Sequence, residues 1–270
     1  MEYLLTHHTF EHIQAFVLGT PRLFMLVGIA PFFATNLLTG QLRFTIVCAC
    51  YLVLHPMLLA HLPEWQGLTF GSTFDLALLL LKEILLGYLM AMLAGMMFWG
   101  IQCAGFFIDN QRGAGMASQA DPLSGEETSP TGSFLFQSAV YVFFATGAFL
   151  TFLGLVYASY EFWPIWELLP AEFIRRPALA LFFAEKVSEL VMDMMLLSGP
   201  IVVACLLTDI SLGIINRFAS QLNVYVLAMP VKSGLASFLL IFYFGMLMSG
   251  AVTIFDSFGT DLQHLRMLLP

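Results

Sequence analysis

Three carboxylates, Glu185, Glu189 and Asp193, recur at intervals of four residues, and Lys186 stands three residues before Glu189. On a helix this spacing lines the acids along one face and lets the lysine pair with one of them. Such a face turns either to a wet cavity or partner subunit, or to water at a helix end. A second file, Asp209, Gly213, Arg217 and Gln221, repeats at the same interval, flanked by Asn216, Ser220 and Asn223 and followed by Lys232. An amide-rich stripe of this kind suits helix docking better than bond-breaking chemistry. His8 and His12 stand at i and i+4 beside Glu11, the spacing of a metal-binding pair, but they sit at the extreme start of the chain. No phosphate-cradling glycine loop, no nucleophile elbow and no H-E-x-x-H pattern occurs. The chain is therefore expected to be no enzyme, with no cofactor and no metal.

The elements that carry these residues are apolar to an unusual degree. Of 270 residues, 59% are hydrophobic and 10% are charged, with a mean hydropathy of +0.86, where soluble domains are about one-quarter charged. That composition places the chain in a membrane. A charge at bilayer depth costs about 2.5–3.5 kcal/mol on insertion scales, so the two polar files must face protein or water and not lipid. The net charge of −8 disfavours nucleic acid as a partner. MEYLLTHHTFEHI has no basic start before its apolar run, so the first segment is expected to stay as a span. Cys48, Cys50, Cys103 and Cys205 lie in apolar runs and read as small buried hydrophobes.

Six apolar segments follow from hydropathy: 10–34, interrupted at Pro21-Arg22; 42–62; 75–108; 133–160; 178–229, broken at Gly199-Pro200; and 232–258. They predict six or seven helical units. At 1.5 Å per residue the third would reach about 50 Å, well beyond a bilayer core, so it must tilt, bend or leave the membrane. Its Gly87, Ala91 and Gly95 predict close helix packing, and Lys82-Glu83 at its start an ordinary interfacial pair. The cluster YEFWPIWELLP at 160–170 predicts an interfacial loop anchored by Trp163 and Trp166. Pro21, Pro56, Pro200 and Pro230 predict discontinuous helices. The basic residues are spread too evenly to orient the chain.

One long polar strip interrupts the apolar blocks. Residues 109–132 carry Gly113, Gly115, Gly125, Gly132, Pro122 and Pro130, too many breakers for a regular helix throughout. By composition alone it reads as a water-facing loop. The wording FFIDNQRGAGMASQADPLSGEETSPTG (106–132) resembles the corresponding stretch of the SctT family (YscT, HrcT, EscT, SpaR), the injectisome counterpart of flagellar FliR. TDISLGIINRFASQLNVYVLAMPVKSG (208–234) is similar to that family's C-terminal signature, a polar helix followed by an extended run ending in Met-Pro-x-Lys. Ser220 departs from the pattern, where many members have proline. Length and motif order fit as well, so the resemblance covers essentially all of 1–270 as a single SctT/FliR-type membrane domain.

The resemblance implies an all-α, polytopic membrane-protein helical bundle with long, broken helices, part of a helical hetero-oligomeric export gate. It implies a type III secretion subunit that forms, with SctR and SctS, a channel for unfolded substrate proteins. SctU and SctV of the export apparatus are further implied partners, alongside membrane lipids. The implied location is the bacterial inner membrane, with the assembly raised toward the periplasm. The strip then becomes a channel plug, with Asp109, Asn110, Gln111, Arg112, Gly113, Met116, Asp121, Pro122, Leu123, Gly125 and Glu126 as its gating residues. Glu185, Glu189, Asp193, Asp209, Asn216, Arg217, Gln221, Asn223 and Lys232 become subunit contacts or lumen lining. A flagellar gate subunit and a stand-alone secondary transporter are the alternatives.

Overall fold

A computed structural model describes residues 2–33, 39–60, 73–113, 129–167, 177–219 and 224–267. Seven α-helices and no strand occur among them: α1 Glu2–Ile29, α2 Gly40–Ala60, α3 Thr73–Arg112, α4 Pro130–Ala145, α5 Ala148–Phe162, α6 Pro177–Phe218 and α7 Val224–Met267. A short 3-10 turn, Pro31–Phe33, follows α1. Helix is the form that satisfies every backbone group within the segment, as an apolar surround requires. Five of the helices are long and apolar enough to cross a membrane, and α4 with α5 makes a sixth if the bent pair counts as one span. The chain is a multi-pass membrane protein.

The helices α3, α6 and α7 have 40, 42 and 44 residues. At 1.5 Å per residue these are about 60–66 Å long, roughly twice a bilayer core. Asp75 in the first turn of α3 and Arg112 in its last turn match the helix dipole.

Prolines do not break these helices. Pro21, Pro56, Pro200 and Pro230 all lie inside continuous ones, so the interruptions expected at Pro21-Arg22 and Gly199-Pro200 are absent. A proline removes one hydrogen bond, and the turns on either side hold the axis. The break falls instead within the expected 133–160 segment, where α4 and α5 meet at 74°. Gly147 takes φ +77°, its N–H bonding to the Phe144 carbonyl, while the Thr146 N–H bonds to Val142. That is a left-handed glycine closing a helix C-terminus. The run after Val224 is also helical, so the Met-Pro-Val-Lys signature lies in the first turns of α7 and is not extended.

The contacts divide the chain into two compact units, with α3, α6 and α7 supplying residues to both. The first comprises Met1–Gly95, Leu150–Phe182 and Phe258–Pro270. Here α1 and α2 run antiparallel: His12 meets His55, Gly19 meets Tyr51 and Leu58, and Phe24 meets Phe44. A Cβ on Gly19 would stand 2.6 Å from Leu58 Cδ1, which shows how closely the two helices approach.

The centre of this unit is charged. The Arg22 guanidinium donates from Nε and Nη2 to the two Glu83 carboxylate oxygens at 2.8 and 3.0 Å, and both side chains are fully buried. It also donates to Ser159 Oγ and to the Trp163 carbonyl, each at 2.9 Å, and lies 4.1 Å from the centre of the Tyr160 ring. Lys82 pairs with Glu83 at 2.7 Å and donates to the carbonyls of Pro164 and Glu167. Lys82-Glu83 is therefore a core element and not the interfacial pair expected. Trp163, expected to anchor at the membrane surface, is buried. Each nitrogen of the Arg22 guanidinium and the Lys82 ammonium has a carboxylate, hydroxyl or carbonyl oxygen to meet it, which is the condition for burying charge. Close packing makes it possible: a Cβ on Gly87 would stand 2.4 Å from the Arg22 carbonyl oxygen.

The second unit comprises Met96–Phe149 and Phe183–Ser257. Phe98, Phe143 and Phe255 form a triangle with ring centroids 5.1–5.2 Å apart. Ile108, Ile201, Cys205 and Ala236 form a second buried cluster that joins α3, α6 and α7. Cys205 is buried, and the other three cysteines are half-buried and free.

Candidate functional site

The described ends of the glycine-dotted strip meet at a defined neck. Helix α3 continues through Asp109, Asn110, Gln111 and Arg112, and Gly113 ends it at φ +87° with its N–H on the Asn110 carbonyl. At the other end Ser129 caps α4, and Pro130 takes the first helical position, where a missing N–H costs nothing. The ends of the expected 109–132 strip are thus helical.

A single carboxylate holds the two ends together. Asp109 Oδ2 accepts the Ser129 hydroxyl at 2.6 Å and the Thr131 N–H at 2.9 Å. Ser129 Oγ in turn accepts the Gly132 N–H at 2.9 Å. Arg112 Nη2 approaches Asp109 Oδ1 to 2.7 Å, as a charge contact without an aligned hydrogen bond. An anion at a helix N-terminus meets free N–H groups and the positive end of the dipole. Asp109 is buried, so its negative charge is matched by α4 and Arg112 instead of by water. Two glycines allow the approach: a Cβ on Gly105 would lie 2.5 Å from Gly132 Cα. The sequence resemblance groups Asp109 and Arg112 with the plug and does not show this stapling geometry. The signal for it was present in Ser129-Pro130, a cap followed by proline.

The second motif lies against the same neck. A Cβ on Gly113 would be 3.6 Å from Met229 Cγ, so the Met-Pro-Val-Lys turn of α7 packs on the end of α3. Lys232 Nζ pairs with Asp209 at 2.9 and 3.1 Å, which ties α7 to α6. Two stretches about a hundred residues apart in sequence thereby meet around Gly113 and Cys205.

The polar files take different positions. Glu185 and Glu189 are exposed, Asp193 is half-buried, and Lys186 bonds to Glu189. Asn216 and Arg217 are exposed, whereas Asp209 and Lys232 are half-buried in their pair. Exposed apolar residues share these helices, among them Val191, Met195, Leu207, Ile210 and Ile214. Met116, Asp121, Pro122, Leu123, Gly125, Glu126, Gln221 and Asn223 lie outside the described residues, as does Ser220. The side chains of His8 and Glu11, considered with His12 as a metal pair, lie outside the described ones; the described partner of His12 is His55 on α2, and no group of three metal-ligating side chains occurs among the described residues.

The model of the family described as bacterial export proteins, family 1, matches residues 13–258, a range that contains both motifs. The chain belongs to this family. Within it, the chain is 39% identical over 240 residues to Yop proteins translocation protein T of Yersinia pestis, covering 88% of this chain and 89% of that protein. It is 29% identical over 243 residues to surface presentation of antigens protein SpaR of Salmonella typhimurium, covering 90% and 86%. Flagellar biosynthetic protein FliR of Bacillus subtilis is 29% identical over 192 residues, covering 71% and 72%. The SctT family and its FliR counterpart, reached from the two motifs, are the branches of the family in which these relatives stand.

Proposed function

We propose that this family 1 export protein is the SctT-type core subunit of a type III secretion export gate, a non-enzymatic component of the channel that passes unfolded proteins. The observation that carries this reading is the family match over 13–258, with the highest of these identities to a translocation protein of 39%. The geometry supports it. Helices twice as long as a bilayer is thick, with carboxylates, amides and large apolar side chains exposed along them, need more than lipid to cover them. SctR and SctS are the proposed ring partners, SctU and SctV the proposed neighbours, and the bacterial inner membrane, with protrusion toward the periplasm, the proposed setting. The segment between Gly113 and Ser129 is the proposed plug, held at its base by Asp109.

A tagged chain purified from its own membranes in mild detergent should bring SctR and SctS with it, read by mass spectrometry. A solitary, monodisperse chain that moves a small solute in liposomes would overturn the reading. Removing 114–128 while keeping Asp109 and Ser129 should leave assembly intact and let small ions leak; an ion-tight deletion removes the plug from the proposal. The FliR relative supports a flagellar reading as well. Complementation of a flagellar mutant against an injectisome mutant separates the two.

A further inference from the structure

His12, His55 and Tyr51 form a titratable cluster that the proposed function does not use. His12 Nδ1 lies 2.9 Å from His55 Nε2, with the rings stacked at a centroid separation of 5.1 Å and an interplanar angle of 29°. On its other side, His55 Nδ1 meets the Tyr51 hydroxyl at 2.7 Å. Tyr51 is buried, meets Phe16 edge-on at 5.0 Å, and lies against Gly19, so it is fixed in the α1–α2 seam. His12 is exposed and His55 half-buried, so the chain of groups runs from the seam to the surface.

An imidazole pair at this distance holds one proton between its facing nitrogens. Either Tyr51 donates to His55 and His55 to His12, or His12 donates to His55 and His55 to Tyr51. Each arrangement is one continuous hydrogen-bond chain. Protonating both rings places a donor on each facing nitrogen, which ends the bond and sets two cations against each other. His12 on one side and Tyr51 on the other are the described titratable groups that face His55. The side chains of His8 and Glu11 on α1 lie outside the described ones. Among the described contacts it is the hydrogen bond that crosses between α1 and α2, beside the contacts Phe16–Tyr51, Gly19–Leu58 and Phe24–Phe44, so protonation acts on the seam there.

We propose that His12 and His55 form an acid-sensitive clasp between α1 and α2, closed with one shared proton and opened when a second proton binds. This device stands apart from the plug and does not depend on it.

The test uses the full chain in lipid nanodiscs, with histidines labelled for NMR. The pair should titrate in two steps separated by about one pH unit or more, as interacting sites do. In His12→Gln, His55 should titrate in one step. Spin labels at the exposed positions Ile13 and Val53 should move apart between pH 8 and pH 5. The same labels should hold their distance in the His12→Gln/His55→Gln variant, with helical content checked by circular dichroism. Independent titration of the two rings, or an identical distance change in the double variant, would overturn the proposal.

Discussion

Gly105 on α3 and Gly132 on α4 approach so closely that Gly105 cannot carry a side chain without moving backbone: a Cβ on it would meet Gly132 Cα at 2.5 Å and Gly132 N at 2.6 Å. The same contact brings Asp109 within reach of the α4 N-terminus, so packing and capping at the neck depend on each other.

Gly105→Ala is therefore expected to lower stability by about 1–3 kcal/mol, the usual cost of overpacking against an unyielding neighbour. Gly213→Ala is the control, because nothing lies within 4 Å of its Cβ position. In the isolated chain that change should be neutral or stabilising by up to about 1 kcal/mol. Thermal unfolding of the detergent-solubilised chain measures both. If Gly213 faces a partner subunit, its substitution should leave the chain's unfolding unchanged and weaken assembly.

Asp109 separates charge from hydrogen bonding. Asp109→Asn keeps an acceptor for the Thr131 N–H and loses the interaction with Arg112 and the helix dipole. Asp109→Ala loses both, and Ser129→Ala removes the cap, at about 0.5–2 kcal/mol. Hydrogen exchange at the Thr131 and Gly132 amides should rise least in the asparagine variant and most in the two alanine variants. Equal protection in all four proteins would show that the carboxylate does not hold α4.

The guanidinium core of the first unit predicts a different pattern. Arg22→Met leaves Glu83 buried with Lys82 as its remaining described cation, and breaking such a pair costs about 3–5 kcal/mol. Adding Glu83→Met should recover part of the loss, because the stranded carboxylate is gone, but not all of it. The Trp163 carbonyl would still lack Arg22, Ser159 would keep only the Val156 carbonyl, and Lys82 would keep the Pro164 and Glu167 carbonyls without a carboxylate. Folded yield and melting temperature of the two variants measure the difference; a double variant no better than the single would assign the cost to lost packing instead of charge.

How much of this was legible differs from element to element. The long apolar helices followed directly from hydropathy, because a backbone in an apolar surround has few alternatives. The polar strip and the Met-Pro-Val-Lys run were visible as words, but their meeting at Gly113 and Met229 was not, since contact between distant segments leaves no local trace. Arg22 looked like part of a helix break beside Pro21, and Lys82-Glu83 like surface charge. Only the fold reveals that these residues meet at a buried centre, because a buried ion pair and an exposed one have the same composition. The bend at Gly147 was hidden by the apolar residues around it, whereas the prolines that drew attention sit in unbroken helices.

The last prediction concerns Lys232 and Asp209, which join the signature turn of α7 to α6. The pair is partly exposed, at 14% and 39% of the side-chain surface, so its contribution to the isolated chain should be small, about 0.2–1 kcal/mol. Lys232→Asp sets two carboxylates together and should cost more than Lys232→Ala; adding Asp209→Lys should restore the pair with its charges exchanged. A double-mutant cycle on melting temperature, with the parent chain, Lys232→Asp, Asp209→Lys and the exchanged pair as its four proteins, isolates that energy. Secretion by the same four proteins gives the decisive comparison. If the pair serves only to join the helices, the exchanged variant regains secretion together with stability. If Lys232 also meets a group on another subunit, the exchanged variant regains stability and remains defective in secretion, because its positive charge now stands on α6.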